Sequence, residues 1–375
     1  MTQDPSRGLR PTWYEIDIGA IAHNVRELRR LLGPGVSLYA CMKRNAYGCG
    51  IAPVSRACLD AGADGIAVGN GDDAAIIRSA GIEGRILVYP GCLPGSAKDV
   101  ERLDLMPTIS TAEEAVAWDA ALTRPRDVFL KVDVGLFRAG AMSGDCDSLF
   151  REIKRSRNLH PVGLYSHFFS YGADHSRAHY EWQFKRFAEA RAAMARVGLE
   201  VPINMVSSTN AVLDFPDMDL TGVDPGRLLF GLNATGSARA GSFRPALSAF
   251  KTRLATLKRV GNLPLDGYKP PIAIRDDMVI GVLPLGWGDG LPRRISDEAR
   301  VLVRGRRVPL LNPLHLEHSR VDLTEVPDAE LGDEVVIIGR QGSAEISLSE
   351  CARWWGIDEP TFHGTMRDHV SRVYF

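Results

Sequence analysis

The feature that most limits the fold of this 375-residue chain is an alternation over its first two-thirds, where short apolar runs take turns with segments of helical periodicity. The runs lie near Val36 to Met42, Gly65 to Val68, Arg85 to Tyr89, Asp104 to Pro107, Val128 to Val132, Val162 to Ser166, Ile203 to Val206 and Leu220 to Val223. They read as strands. Between them, Pro53 to Ala61, Ala112 to Ala121, Cys146 to Ser156 and Arg177 to Val197 have helical spacing, and Ala20 to Leu31 is a helix placed before the first strand. Eight strands, each followed by a helix or a helix-like turn, imply an α/β chain that closes as a (β/α)8 TIM-type barrel. An open doubly wound sheet is the rival. It is disfavoured because the first run lacks the G-x-G-x-x-G turn of dinucleotide-binding folds.

After about Gly241 the pattern changes. Leu254 to Val260, Asp277 to Leu285, Ala299 to Val303, Val308 to Leu314 and Glu334 to Ile338 are short β-type runs separated by Gly, Pro and Asp. They predict a C-terminal all-β domain over residues 241–375, following a barrel domain over residues 1–240. The strand-like stretch within residues 11–18 is a candidate to pair with that second domain.

Charge narrows the class of function. With 45 Lys+Arg against 46 Asp+Glu and no dominant basic block, neither nucleic acid nor an anionic membrane is the expected partner. A small-molecule enzyme is the better expectation. Met278 to Leu285 falls far short of the roughly 20 apolar residues needed to span a bilayer, and the first residues lack the apolar stretch of a signal peptide, so a cytoplasmic location is expected. The six cysteines form no C-x-x-C pair and read as buried thiols.

In a barrel the reactive groups belong at the C-terminal ends of the strands. The first run ends in Met42-Lys43-Arg44-Asn45-Ala46-Tyr47-Gly48-Cys49-Gly50, which sets an amine at the mouth before a glycine-rich turn. A desolvated lysine there can form a Schiff base with a carbonyl; a lysine lying along the rim is the plainer alternative.

Trp13-Tyr-Glu-Ile-Asp17-Ile, Asn24 and the Lys43 segment resemble the N-terminal signature of the alanine racemase family. The likeness continues through Lys131-Val-Asp133-Val-Gly135-Leu-Phe-Arg138-Ala-Gly140, Leu164-Tyr-Ser-His167, Ser207-Ser208-Thr209-Asn210, Gly286-Trp287-Gly288-Asp289-Gly290 and Ser371-Arg-Val-Tyr374, in family order across nearly the whole chain. The resemblance implies a barrel enzyme dependent on pyridoxal 5'-phosphate (PLP), with a C-terminal β domain, acting at the Cα of an amino acid. By the same resemblance, Lys43 holds the cofactor and serves as a base on one face of Cα. Tyr47, Ser208, the backbone around Gly226 and Arg227, and Tyr374 match phosphate-binding positions. His167 matches a residue near the pyridine end, and Arg138 one near the cofactor hydroxyl and the substrate carboxylate. Lys131 matches a lysine that is carbamylated in many members and then orients that arginine; a plain ion pair with Asp133 or a neighbour is the alternative. A head-to-tail homodimer with shared active sites is also implied.

Departures from the family pattern bear on the reaction. The second base of the family is a tyrosine in Gly-Tyr-x-Asp-Gly, whereas this chain has Trp287, whose indole accepts no proton. The family keeps an arginine at the pyridine nitrogen; here Asp224 stands in Val223-Asp224-Pro225-Gly226-Arg227 and would favour a protonated ring. The segment Pro313-Leu-His315-Leu-Glu317-His318 replaces a Cys-Met-Asp-Gln stretch. Its His315, Glu317 and His318 are candidates for a replacement acid or base, and strand alternation would put His315 and Glu317 on one face, as for a metal pair, with His318 pointing away; no metal site is assigned. His175 and His179 read as surface residues at helical spacing. The expected function is therefore amino-acid racemisation or epimerisation. One-sided chemistry by Lys43 (aldol cleavage or transfer, transamination) and decarboxylation are alternatives. A non-catalytic PLP carrier is disfavoured by the second domain.

Overall fold

The computed structural model describes residues 9–375 apart from 171–175, 233–236, 238, 240–241, 261–263 and 265. The expected change of character at residues 240–241, and His175, lie outside the described residues. The chain forms two compact units, one made of Gly19–Ala46 with Gly50–Arg244, the other of the described part of Met1–Ile18 with Tyr47–Cys49 and Pro245–Phe375.

Taking β1 as Thr12–Ile16, the first unit holds β2 (Ser37–Cys41), β3 (Gly65–Val68), β4 (Arg85–Val88), β5 (Met106–Ile109), β6 (Arg126–Lys131), β7 (Leu159–Tyr165), β8 (Ile203–Ser207) and β9 (Gly222–Val223). They close in sequence order into a parallel barrel, with Ser37 and Leu38 of β2 opposite Gly222 and Val223 of β9. Parallel strands covered on both faces carry near-continuous apolar residues, which is why these runs stand out in the sequence. Two of them are displaced. Asp104 and Leu220 have φ of 52° and 51°, a left-handed conformation that makes them turns, so their strands begin at Met106 and Gly222.

The helix Ile18–Leu31 buries Ile21, Val25 and Leu28 at helical spacing, and it also buries Asn24. That amide donates to the carbonyls of Leu229 (3.0 Å) and Arg244 (2.8 Å) and accepts from Arg244 N (2.8 Å), so a family-motif residue serves as a tie between the first helix and the end of the barrel chain.

The barrel interior is aromatic: Tyr39 lies edge-on to Phe129 at 5.4 Å, and Tyr165 lies 6.0 Å from both Phe129 and Tyr89. Glycines make the space. A Cβ on Gly65 would sit 2.6 Å from the Tyr39 ring, and one on Gly163 would overlap the Phe129 ring. Gly163→Ala is expected to lower stability by about 1–3 kcal/mol, because a fully buried ring has to leave its rotamer. Chemical denaturation checks this; an unchanged midpoint would show that the core absorbs the methyl.

In the second unit a sheet runs in the order β11 (Thr256–Arg259), β12 (Val279–Leu283), β15 (Ser319–Asp322), β14 (Arg306–Leu311), β13 (Arg300–Val303), β16 (Glu334–Gln341), β10 (Leu247–Arg253), β1, β18 (Ser371–Tyr374), with β17 (Ala344–Ile346) on β16. Thus β1 lies between β10, antiparallel, and β18, parallel. Two helices unassigned in the sequence, Leu348–Trp355 and Glu359–Thr365, belong to this unit. The first has a capping box from Ser347 and Glu350 and ends at left-handed Gly356.

Candidate active site

The C-terminal strand ends of the barrel gather Lys43, Tyr89, Lys131, Arg138, His167 and Asp224 around one cavity of about 330 Å³. Each position follows from the fold. Lys43 lies just beyond β2, Tyr89 directly follows β4, Lys131 is the last residue of β6, and Asp224 directly follows β9. Beyond Lys43 the chain turns left-handed: Arg44, Asn45, Ala46 and Tyr47 all have φ between 52° and 54°. L-residues pay about 1–2 kcal/mol each for that conformation. The turn is held by Asn45, whose side-chain oxygen accepts from Ile51 N at 2.7 Å and whose carbonyl accepts from Gly50 N at 3.0 Å. Strain of this kind persists where surrounding contacts over-determine it, and here it fixes the backbone next to Lys43.

The electrostatics are lopsided. Lys43, Lys131 and Arg138 meet the carboxylate of Asp224 in a confined space. Burial pushes the Lys131 amine down to about 7, with Arg138 and Lys43 acting in the same direction and Asp224 opposing. Burial pushes the Asp224 carboxyl up to about 6, against the pull of Lys43, the Tyr89 hydrogen bond and Lys131. His167 is held well below the usual imidazole range by desolvation, then by Lys43, Lys131, Arg138 and Arg227, so it is neutral. A cavity of this sign attracts anions such as phosphate or carboxylate.

Asp224 is 4% exposed, and its Oδ2 accepts from Tyr89 Oη at 2.7 Å. Its Oδ1 is buried and has no hydrogen-bond partner among the described residues. A bare carboxylate oxygen in the interior is costly, which marks it as the place for a donor from a bound molecule.

Lys131 has no ion pair with Asp133. The Asp133 carboxylate is occupied by backbone amides, with Oδ1 accepting from Gly135 N (2.7 Å) and Phe137 N (3.1 Å) and Oδ2 from Arg138 N (3.0 Å). It shapes the loop that carries Arg138. The Lys131 amine lies instead 4.0 Å from the Tyr165 ring centroid, and among the described residues no carboxylate is in salt-bridge contact with it.

Ser208 follows β8 and precedes the short helix Thr209–Asp214. Gly226 precedes a 3-10 turn, and the Arg227 side chain donates to Asn210 Oδ1 at 2.7 Å. Tyr47, Trp287, His315, His318 and Tyr374 lie in the second unit. Tyr374 ends β18, and the Tyr47 carbonyl is 3.0 Å from His363 Nδ1. His179 is in the helix Arg177–Arg196, with Nε2 2.9 Å from the Phe169 carbonyl.

Trp287 opens a short 3-10 turn and is 39% exposed. Its backbone N–H donates to His315 O at 2.9 Å, and Gly288 N donates to Leu316 O at 2.8 Å, so the Trp287 loop lies along the 315–318 segment. A Cβ on Gly286 would fall on those carbonyls, which explains the glycine. The segment is a tight turn and not a strand: His315 N donates to His318 O at 2.9 Å, and His315, Glu317 and His318 are all exposed. Strand alternation therefore does not apply to His315 and Glu317, and among the described residues no group of three metal-ligating side chains occurs.

Two residues escaped the sequence reading. Tyr89 was counted within an apolar run, although it directly follows a barrel strand just as Asp224 does. Asp289, 1% exposed, binds Gly286 N (2.8 Å), Arg10 Nη2 (2.7 Å) and His369 Nε2 (2.9 Å) and so anchors the Trp287 loop. Its signal was its place in the Gly-Trp-Gly-Asp-Gly motif.

A closed barrel with an amine, a guanidinium and a buried carboxylate at its strand ends has the make-up of a small-molecule enzyme site. Residues 16–234 match the model of the alanine racemase N-terminal domain, and residues 247–374 that of the alanine racemase C-terminal domain. The chain is 34% identical over 352 residues to the alanine racemase of Symbiobacterium thermophilum, covering 92% of each. It is 31% identical over 348 residues to that of Halothermothrix orenii, covering 92% of this chain and 91% of the other. Among solved structures it is similar to alanine racemase from Bacillus anthracis with bound L-Ala-P, with a TM-score of 0.89 at 26% identity over 98% of this chain and 96% of that one. Alanine racemase from E. faecalis gives 0.87 at 27% identity, with 98% of each chain covered. The chain belongs to the alanine racemase family, PLP-dependent isomerases of amino acids.

Proposed function

We propose that this chain binds PLP at the barrel mouth and racemises or epimerises an amino acid at Cα. The observation that carries the reading is the presence, in one cavity, of the Lys43 amine and of Asp224 with an unpartnered buried oxygen. These residues fit the cofactor: an amine for its aldehyde, an acceptor for a ring N–H, and a cationic surrounding for its phosphate. Lys43 would hold the aldehyde carbon, Asp224 the ring nitrogen, and Ser208 with the backbone at Gly226 and Arg227 the phosphate on the barrel side.

When bound, PLP supplies the electron sink that acidifies the Cα hydrogen of an attached amino acid. Arg138 supplies a two-donor fork for the substrate carboxylate and orients the substrate. The Lys43 amine takes a proton from Cα on one face, and inversion needs a proton delivered to the other, for which the side chains of the 315–318 turn or a water are the candidate source. Neutral His167 contributes a hydrogen bond without adding charge. The active form is a homodimer in which each chain offers Trp287 and the 315–318 turn to its partner's site, a reading favoured by the exposure of that surface. No helix among the described residues is long and apolar enough to cross a membrane, and six unpaired cysteines suit a reducing compartment such as the cytoplasm.

Incubation with L- and D-amino acids in deuterated water, read by mass and chirality, tests the reading. Deuterium gain at Cα with inversion is expected for the true substrate. Gain with full retention would show one-sided exchange, and loss of carbon would show an aldolase or decarboxylase; either would overturn racemisation.

A further inference from the structure

We propose that Tyr89 is a positioning residue for the ring-nitrogen end of this site: its hydroxyl keeps Asp224 an ionised carboxylate and leaves one oxygen of that group for the nitrogen. The proposal rests on the reading of Asp224 as the partner of the PLP ring nitrogen. Tyr89 is 8% exposed, and its Oη donates to Asp224 Oδ2 at 2.7 Å. The hydrogen in this bond belongs to the phenol. Burial and the Asp224 charge hold the Tyr89 hydroxyl well above its ordinary range, so it stays a donor and the negative charge stays on the carboxylate.

That donation matters because Asp224 is otherwise poised to take up a proton. Burial is the largest influence on its carboxyl, and the Tyr89 hydrogen bond is one of the few forces that favour the charged form; the others are Lys43, Lys131 and the residue's own backbone amide. Both cations change their surroundings when a cofactor occupies the cavity, whereas a hydroxyl that is part of the barrel lining does not. Remove it, and the buried carboxylate loses its side-chain hydrogen-bond donor. A protonated carboxyl is then favoured, and it cannot hold a proton on the pyridine nitrogen.

The ring is set in place from behind. Tyr165 lies 6.0 Å from Tyr89, its hydroxyl is 2.9 Å from Thr108 Oγ1, and Thr108 Oγ1 donates to the Val88 carbonyl at 2.7 Å. On its other side Tyr89 meets the reactive amine: Lys43 Nζ is 4.7 Å from the ring centroid. One side chain thus touches both the amine and the carboxylate of the proposed site.

The test loads wild-type protein and Tyr89→Phe with PLP labelled with nitrogen-15 in the ring and reads the nitrogen chemical shift, beside thermal melting and the kcat and KM of racemisation. Wild type should give the signal of a protonated pyridine, and Tyr89→Phe should move it toward the neutral position that Asp224→Ala defines. A loss of about tenfold to a hundredfold in kcat is expected to accompany the shift, the scale of one hydrogen bond to a charged group. Tyr89→Gln, which still carries a donor, should retain the protonated signal. A protonated signal that Tyr89→Phe leaves in place overturns this proposal alone, and lowered melting with an unmoved signal does the same by showing a merely structural role. A neutral signal in wild type overturns the Asp224 reading together with it. Failure of wild type to bind PLP overturns the proposed function itself.

Discussion

Lys43→Ala is expected to remove the visible absorption of the purified protein and to lower turnover by a factor on the order of 10⁴ or more, since in the proposed function one residue both holds the cofactor and moves the Cα proton. The competing candidate is Lys131, whose amine is pushed down to about 7 by burial and is therefore partly neutral and nucleophilic. Location decides between them. Lys131 is 5% exposed, with its amine against the Tyr165 ring inside the barrel, whereas Lys43 is half-buried beyond the end of β2 and backed by a strained turn. Lys43→Arg keeps the charge without a neutral amine and should be as inactive as Lys43→Ala, while Lys131→Ala should keep the absorption band. Borohydride reduction followed by peptide mapping should mark Lys43; a label on Lys131 would sink the assignment.

The barrel was legible because its strands, covered on both faces, leave unbroken apolar runs such as Gly65–Val68, and because a TIM-type fold tells where to look for chemistry. Lys43 could be picked out as a polar residue where such a run ends, and Asp224 by its departure from the arginine of the family pattern. Tyr89 could not, because a tyrosine extends an apolar run as readily as it ends one, and only its hydrogen bond to Asp224 gives it a role. The short helix Gly71–Ser79, expected only as a helix or helix-like turn after its strand, could not be delimited for a similar reason: its sequence GDDAAIIRS carries little apolar periodicity, and its start is fixed by Asn70, whose side chain accepts from Asp73 N. The 315–318 segment failed in the opposite direction. Alternating Leu and polar residues mimic a strand, but the backbone there pairs with the Trp287 loop and with itself rather than with a sheet edge.

Trp287→Tyr is expected to raise the interconversion of L- and D-alanine by about a hundredfold, the usual contribution of a positioned acid or base. Racemisation needs proton traffic on both faces of Cα. In the proposed function Lys43 serves one face, and an indole offers no acceptor for the other. The loop should present the new phenol without remodelling. Asp289 holds Gly286 N, and Trp287 N stays on His315 O through backbone atoms that the substitution leaves alone. With wild-type protein, alanine should accordingly turn over slowly beside ordinary family members. If it does not, His315, Glu317, His318 or a water already serves the second face, and Trp287→Tyr should bring no gain. The same variant reports on sharing between subunits. In a heterodimer of Lys43→Ala and Trp287→Tyr chains, a shared site with an intact lysine receives its partner's tryptophan, so excess Lys43→Ala chain should return the rate per intact lysine to the wild-type level. A gain that survives this mixing would mean that each chain completes its own site.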